Sequence, residues 1–182
     1  GVSRSGIADG TQQLRVIPNH NLIFDNIGRP ITRVPTNNVI TFNDNRRYVT
    51  AASKNTYFTT NGSYQTRKSL FLTEDIVITN NSYLVLQTYG AFYGQGYTIT
   101  IQNVTNHNGL FELDGGKVID VHVVSSSSTI ATESGWVART QAYGFIENCS
   151  SNGAIPSKAG GIAGSNAATG SKRLEIKNCS SS

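Results

Sequence analysis

Methionine is absent from this 182-residue chain, and proline (4), cysteine (2) and tryptophan (1) are scarce. No apolar run approaches the ~20 residues that a membrane-spanning helix needs. The two cysteines form no C-x-x-C spacing and the three histidines (His20, His107, His122) no H-x-x-x-H spacing, so no metal is assigned. Charged residues are only 14% of the chain, and no basic run exceeds a pair such as Arg46-Arg47 or Arg67-Lys68. That argues against nucleic-acid binding. The opening GVSRSGIADG is not a charged start followed by an apolar stretch. With the close in NCSSS just after an apparent strand, it fits a piece of a longer protein.

What is abundant is Asn, Ser and Thr, together with 18 glycines. All four favour caps, turns or extended backbone over helix interiors, so the composition predicts an all-β chain with many turns. A 37% hydrophobic content, gathered in strand-like clusters, argues against disorder. Charge is uneven: residues 1–68 carry nine Lys/Arg against three acids, residues 69–182 six against eight. The first segment is therefore a candidate docking arm, although a solvated surface explains the same balance.

The chain repeats itself. Glycine phrases begin at Gly109, Gly135 and Gly161, evenly spaced along the sequence. Between them recurs a second phrase: Val118-Ile119-Asp120-Val121, Ile146-Glu147-Asn148-Cys149 and Ile176-Lys177-Asn178-Cys179, with Ile101-Gln102-Asn103-Val104 as an earlier copy. The gap from glycine phrase to apolar phrase widens at each repeat, Gly109 to Val118, Gly135 to Ile146, Gly161 to Ile176. The phrases are too short for helix periodicity, rich in Ile and Val, and bounded by turn formers. Leu70–Leu72, Ile76–Ile78, Leu84–Leu86 and Tyr97–Ile101 continue the rhythm upstream. Constant strands with variable turns predict a parallel β-solenoid, rungs ~4.8 Å apart. Like residues should then stack: Ile146 on Ile176 in the core, Cys149 on Cys179, Asn148 on Asn178 at a bend, and Leu110, Trp136 and Ile162 as one inward ladder. The expected domains are 1–68, an extended capping and anchoring segment with Pro18, Pro30 and Pro35, and 69–182, the solenoid.

Chemistry has few candidates. A carbohydrate-cleaving site needs converging carboxylates or a carboxylate with a Lys or Arg base, and Glu112, Asp114 and Asp120 with Lys117 and Arg139 form the one plausible cluster. Asp114 reads as part of a turn, LDGGK, and Asp120 fills the slot of Asn103, Asn148 and Asn178. No residue is therefore assigned a catalytic or cofactor-binding role. Cys149 and Cys179 read as a reduced pair of stacked thiols, although stacked rungs also bring Cα atoms within disulfide range. His122 alternates with Val121 and Val123 and is expected to face outward. Five N-x-S/T sequons, at Asn61, Asn80, Asn103, Asn148 and Asn178, are what such a composition yields by chance.

The stretch GGIAGSNAATGSKRLEIKNCSSS resembles the GLUG repeat of large secreted adhesins and surface proteins, a Gly-Gly-apolar-apolar-Gly opening closed by I-x-N-C. LTEDIVITNNSYLVL, FYGQGYTITIQNVTNHNGLF and SSTIATESGWVAR are similar to the β-helical repeat proteins of large DNA viruses. The resemblance covers residues 69–182. It implies a right-handed parallel β-helix, usually without a catalytic site. Trp136-Val137-Ala138-Arg139 and Asp120 depart from the pattern. The expected function is a non-enzymatic structural or surface module, a virion component by preference and otherwise a bacterial adhesin, whose partners are other structural proteins or copies of itself. The alternative is a glycan-binding or polysaccharide-cleaving β-helix with Tyr83, Tyr89, Tyr93, Tyr97, Trp136 and Tyr143 as sugar platforms.

Overall fold

The computed structural model describes residues 47–182 and, within the first 46, five short strands. Those are β1 (Arg4–Gly6), β2 (Thr11–Leu14), β3 (Ile23–Phe24), β4 (Pro30–Ile31) and β5 (Val39–Thr41). β1, β2 and β5 form one antiparallel sheet, β3 and β4 another, in a unit bounded by Gly1 and Asn45. Pro18, Pro35 and His20 lie outside the described residues.

The second unit, from Arg46 onward, is a β-solenoid of about 5 turns with three faces. The first face holds β7 (Gln65–Thr66), β10 (Leu84–Gln87) and the start of β13 (Phe111–Ile119). Parallel bridges Phe111↔Ala138 and Ala138↔Ala163 continue it downward. The second face stacks β6 (Arg47–Val49), β8 (Ser69–Leu72), β11 (Ala91–Tyr93), the end of β13, β15 (Tyr143–Glu147) and β17 (Leu174–Lys177). On the third lie β9 (Ile76–Ile78), β12 (Thr98–Gln102), β14 (His122–Ser126), β16 (Ser150–Ser151) and β18 (Ser180–Ser181). Every pairing between these named strands is parallel.

Alternation fills the core from three sides. Leu70, Phe92, Val118 and Ile146 form a continuous ladder on the second face, each wholly buried. Ile146 pairs with Ile176 as the repeat predicted, and Ile176, on the last described rung, is 46% exposed. On the third face Ile76, Ile99, Val123, Ser151 and Ser181 stack in register, each step longer in sequence than the one before. On this face the rungs lengthen along the chain, whereas on the first face Phe111, Ala138 and Ala163 mark a longer step followed by a shorter one.

Four sequence expectations are corrected. Parallel pairing begins at Arg47, well before residue 69, and the one described helix, α1 (Lys54–Tyr57), leads into Phe58, buried against Phe92 and Phe111. LDGGK is not a turn: β13 runs through it, bending at Gly115-Gly116, so that Asp114 lies on a strand. In the glycine phrases the register is shifted by one. Phe111 N–H donates to Val137 O and Val137 N–H to Ile162 O, so Val137 stacks between Leu110 and Ile162, and Trp136 falls beside the smaller Gly109 and Gly161. The indole is accommodated by Gly153, where an added Cβ would come within 2.2 Å of the ring. Finally, Ile101-Gln102-Asn103-Val104 lies on the third face against Ser125 and Ser126, a different corner from its supposed copies.

Candidate functional site

The corner between the first and second faces is where chain chemistry converges. Along β13, Phe111 and Leu113 point into the core, so Glu112 and Asp114 must face outward. On the next rung Arg139 follows Ala138, the partner of Phe111, which puts its guanidinium one rung below Glu112. The ion pair that results, Arg139 Nη1 to Glu112 Oε2, is 3.0 Å long. Asp114 pairs in register with Tyr143, and the phenol O–H donates to Asp114 Oδ1. That hydrogen bond, foremost, pushes the phenol above its usual pKa, since ionisation would lose the bond and set two negative charges together.

Cations cover the aromatic faces. The Arg139 guanidinium lies 3.7 Å from the centre of the Tyr83 ring, and Lys172 Nζ 4.1 Å from that of Tyr143. Glu112, Asp114, Arg139, Tyr143 and Lys172, with Thr140, line an open groove of about 320 Å³. Gly144, at φ 131°, makes the bend beneath it, and an added Cβ there would come within 2.1 Å of Gly116 O. Only glycine allows rungs to approach so closely at this corner.

Of the five charged residues singled out from the sequence, three meet in this groove: Glu112, Asp114 and Arg139. Lys117 is exposed on the second face between Ala91 and Phe145, and Asp120 lies at the next corner. The six aromatic candidates do not share a surface. Tyr143 lines the groove and Tyr83 lies under Arg139, but Tyr93 stacks on Phe71 at 5.0 Å on the second face and Trp136 is wholly buried. Sequence reasoning passed over Lys172. Its signal was the widening gap between glycine and apolar phrases, because the extra residues build the turn that carries Lys172 over the groove.

Elsewhere the polar residues have structural explanations. His107 is buried, its Nδ1 accepting from Gly109 N–H at 3.0 Å, and burial pushes its pKa down to about 4. His122 is exposed as expected, 2.6 Å from Ser150 Oγ. Cys149 and Cys179 are stacked and free, with Cys149 N–H directed at Cys179 Sγ at 3.4 Å. Burial pushes the Cys149 thiol up to about 12. All five sequon asparagines are exposed, and Asn103, Asn148 and Asn178 lie at corners rather than inside strands. Among the described residues no group of three or more His, Cys, Asp or Glu is placed to hold a metal ion, and no helix is long and apolar enough to cross a membrane. Compared with known family models, curated proteins and solved structures, the chain matches none.

Proposed function

We propose that this chain is a non-enzymatic structural protein, a stiff β-solenoid rod anchored through its N-terminal segment. Following the resemblance of its repeats, we assign it to the particle of a large DNA virus; a bacterial surface adhesin is the alternative. One observation carries the non-enzymatic part. Both groove carboxylates are already engaged by neighbouring rungs, Glu112 by Arg139 and Asp114 by Tyr143, so neither stands free to exchange a proton with a substrate. A rod suits bracing or projection, since each added coil contacts only its neighbours and lengthens the body without redesign.

The anchoring part is tested by truncation. Residues 47–68 supply β6, β7 and buried Phe58 to the solenoid, so the informative deletion is 1–45. The truncated chain should fail to co-sediment with the native assembly while the full chain remains bound. Retention of the truncated rod would refute anchoring by this segment. Incubation with a polysaccharide panel should release no new reducing or unsaturated ends; release that disappears in Asp114→Asn would replace this reading with an enzymatic one.

A further inference from the structure

We propose that the groove between the first and second faces binds a neutral, hydroxyl-rich saccharide, held by Glu112, Asp114, Arg139, Tyr143 and Lys172. The inference is independent of the rod reading and adds a ligand to it. About 320 Å³ is near the lower bound of small-molecule sites, space for a sugar ring rather than for a folded partner. Its lining alternates acceptors with donors: two carboxylates, a guanidinium, an ammonium and a phenol within a few rungs. A sugar hydroxyl both donates and accepts, so vicinal hydroxyls satisfy such a mixed set, whereas an anion would meet Glu112 and Asp114 and a cation would meet Arg139 and Lys172. The formal charges of those four side chains cancel, which favours a neutral ligand over a uronate, a phosphate or a polyamine.

A second observation comes from the same corner one rung up. Gln87 pairs with Asp114 and Gly115, and two residues beyond it Tyr89 stands in the left-handed region at φ 73°, 84% exposed. An aromatic residue is held in a conformation that glycine adopts without strain, and burial gives nothing in return. A ring presented to solvent at the same corner, one rung above a hydrogen-bonding groove, supplies a platform for a further sugar of a bound oligomer.

The test is a titration of the ¹⁵N-labelled full chain, followed by amide shifts, with neutral oligosaccharides of glucose, mannose, xylose and N-acetylglucosamine, and with oligogalacturonate as the anionic probe. At least one neutral oligomer should give saturable shifts centred on Glu112, Asp114 and Tyr143, and the anionic probe should not. Asp114→Asn, which preserves shape, should weaken binding about tenfold or more, the loss expected for a charge-assisted hydrogen bond. Tyr89→Gly should weaken binding while leaving the melting temperature unchanged or higher, a combination that a purely structural role for Tyr89 does not produce. The proposal is overturned if no neutral oligomer saturates, if the shifts centre elsewhere, if oligogalacturonate binds more tightly, or if Asp114→Asn binds like the wild type.

Discussion

Trp136 heads the fully buried side chains, its indole N–H donating to Ala154 O at 3.3 Å and its ring lying where a Cβ on Gly153 would come within 2.2 Å. Trp136→Ala should lower stability by about 3–5 kcal/mol in urea unfolding, as expected for a large core cavity. His107 sets a pH dependence. Its native pKa of about 4 lies below the unfolded value of 6.5, so below pH 6.5 the unfolded chain takes up a proton that the native chain refuses. Its contribution is therefore fully present above pH 6.5 and is lost as pH falls toward 4, up to about 3 kcal/mol. Melting temperatures measured across that window should fall, and His107→Asn should flatten the fall. The thiols divide by burial: Cys149 is buried and neutral, Cys179 half-buried in the last rung. A maleimide should label one thiol in the native protein and two after denaturation, and the intact mass should match both cysteines reduced.

At the level of the element, the recurring Asn or Asp is explained by the backbone. Asn103, Asp120, Asn148 and Asn178 all adopt left-handed conformations, φ between 50° and 58°. Asn148 and Asn178 are exposed, and what the four share is a corner that turns the chain from one face to the next. Asn and Asp tolerate this region better than other residues with a Cβ, since their short side chains bond locally. Asn148→Val should therefore cost about 1–2 kcal/mol, with Asn148→Gly much closer to wild type, as read by chemical denaturation. The same argument accounts for the wealth of asparagine in a chain made of corners.

The solenoid as a whole is a stack in which each rung is templated by the one before. Val49, Phe58, Leu70 and Leu72 close its first turn, so that unit should fold without the residues preceding Arg46. A chain of residues 46–182 should give the β-rich circular dichroism and a cooperative melt, whereas one of residues 69–182 should melt lower, having lost β6, β7 and Phe58. If the two truncations melted alike, the first rung would not begin at Arg47.

Several features were legible because they repeat. Strands Ile76–Ile78 and Leu84–Gln87, the stacking of Ile146 on Ile176 and of Cys149 on Cys179, and the parallel β-solenoid follow from alternation and recurrence, which are properties of the chain itself. Register within a rung was not legible. A one-residue shift, Val137 in place of Trp136 between Leu110 and Ile162, leaves the sequence period almost unchanged, and only packing chooses the slot in which an indole fits. Nor could the sequence assemble the groove. Glu112, Arg139 and Lys172 come from three successive coils, and which of many charged residues meet depends on how far each turn extends before its rung closes. Composition and repeat determined the architecture through local backbone preference; the tertiary structure decided the site, because side chains meet across rungs and not along them.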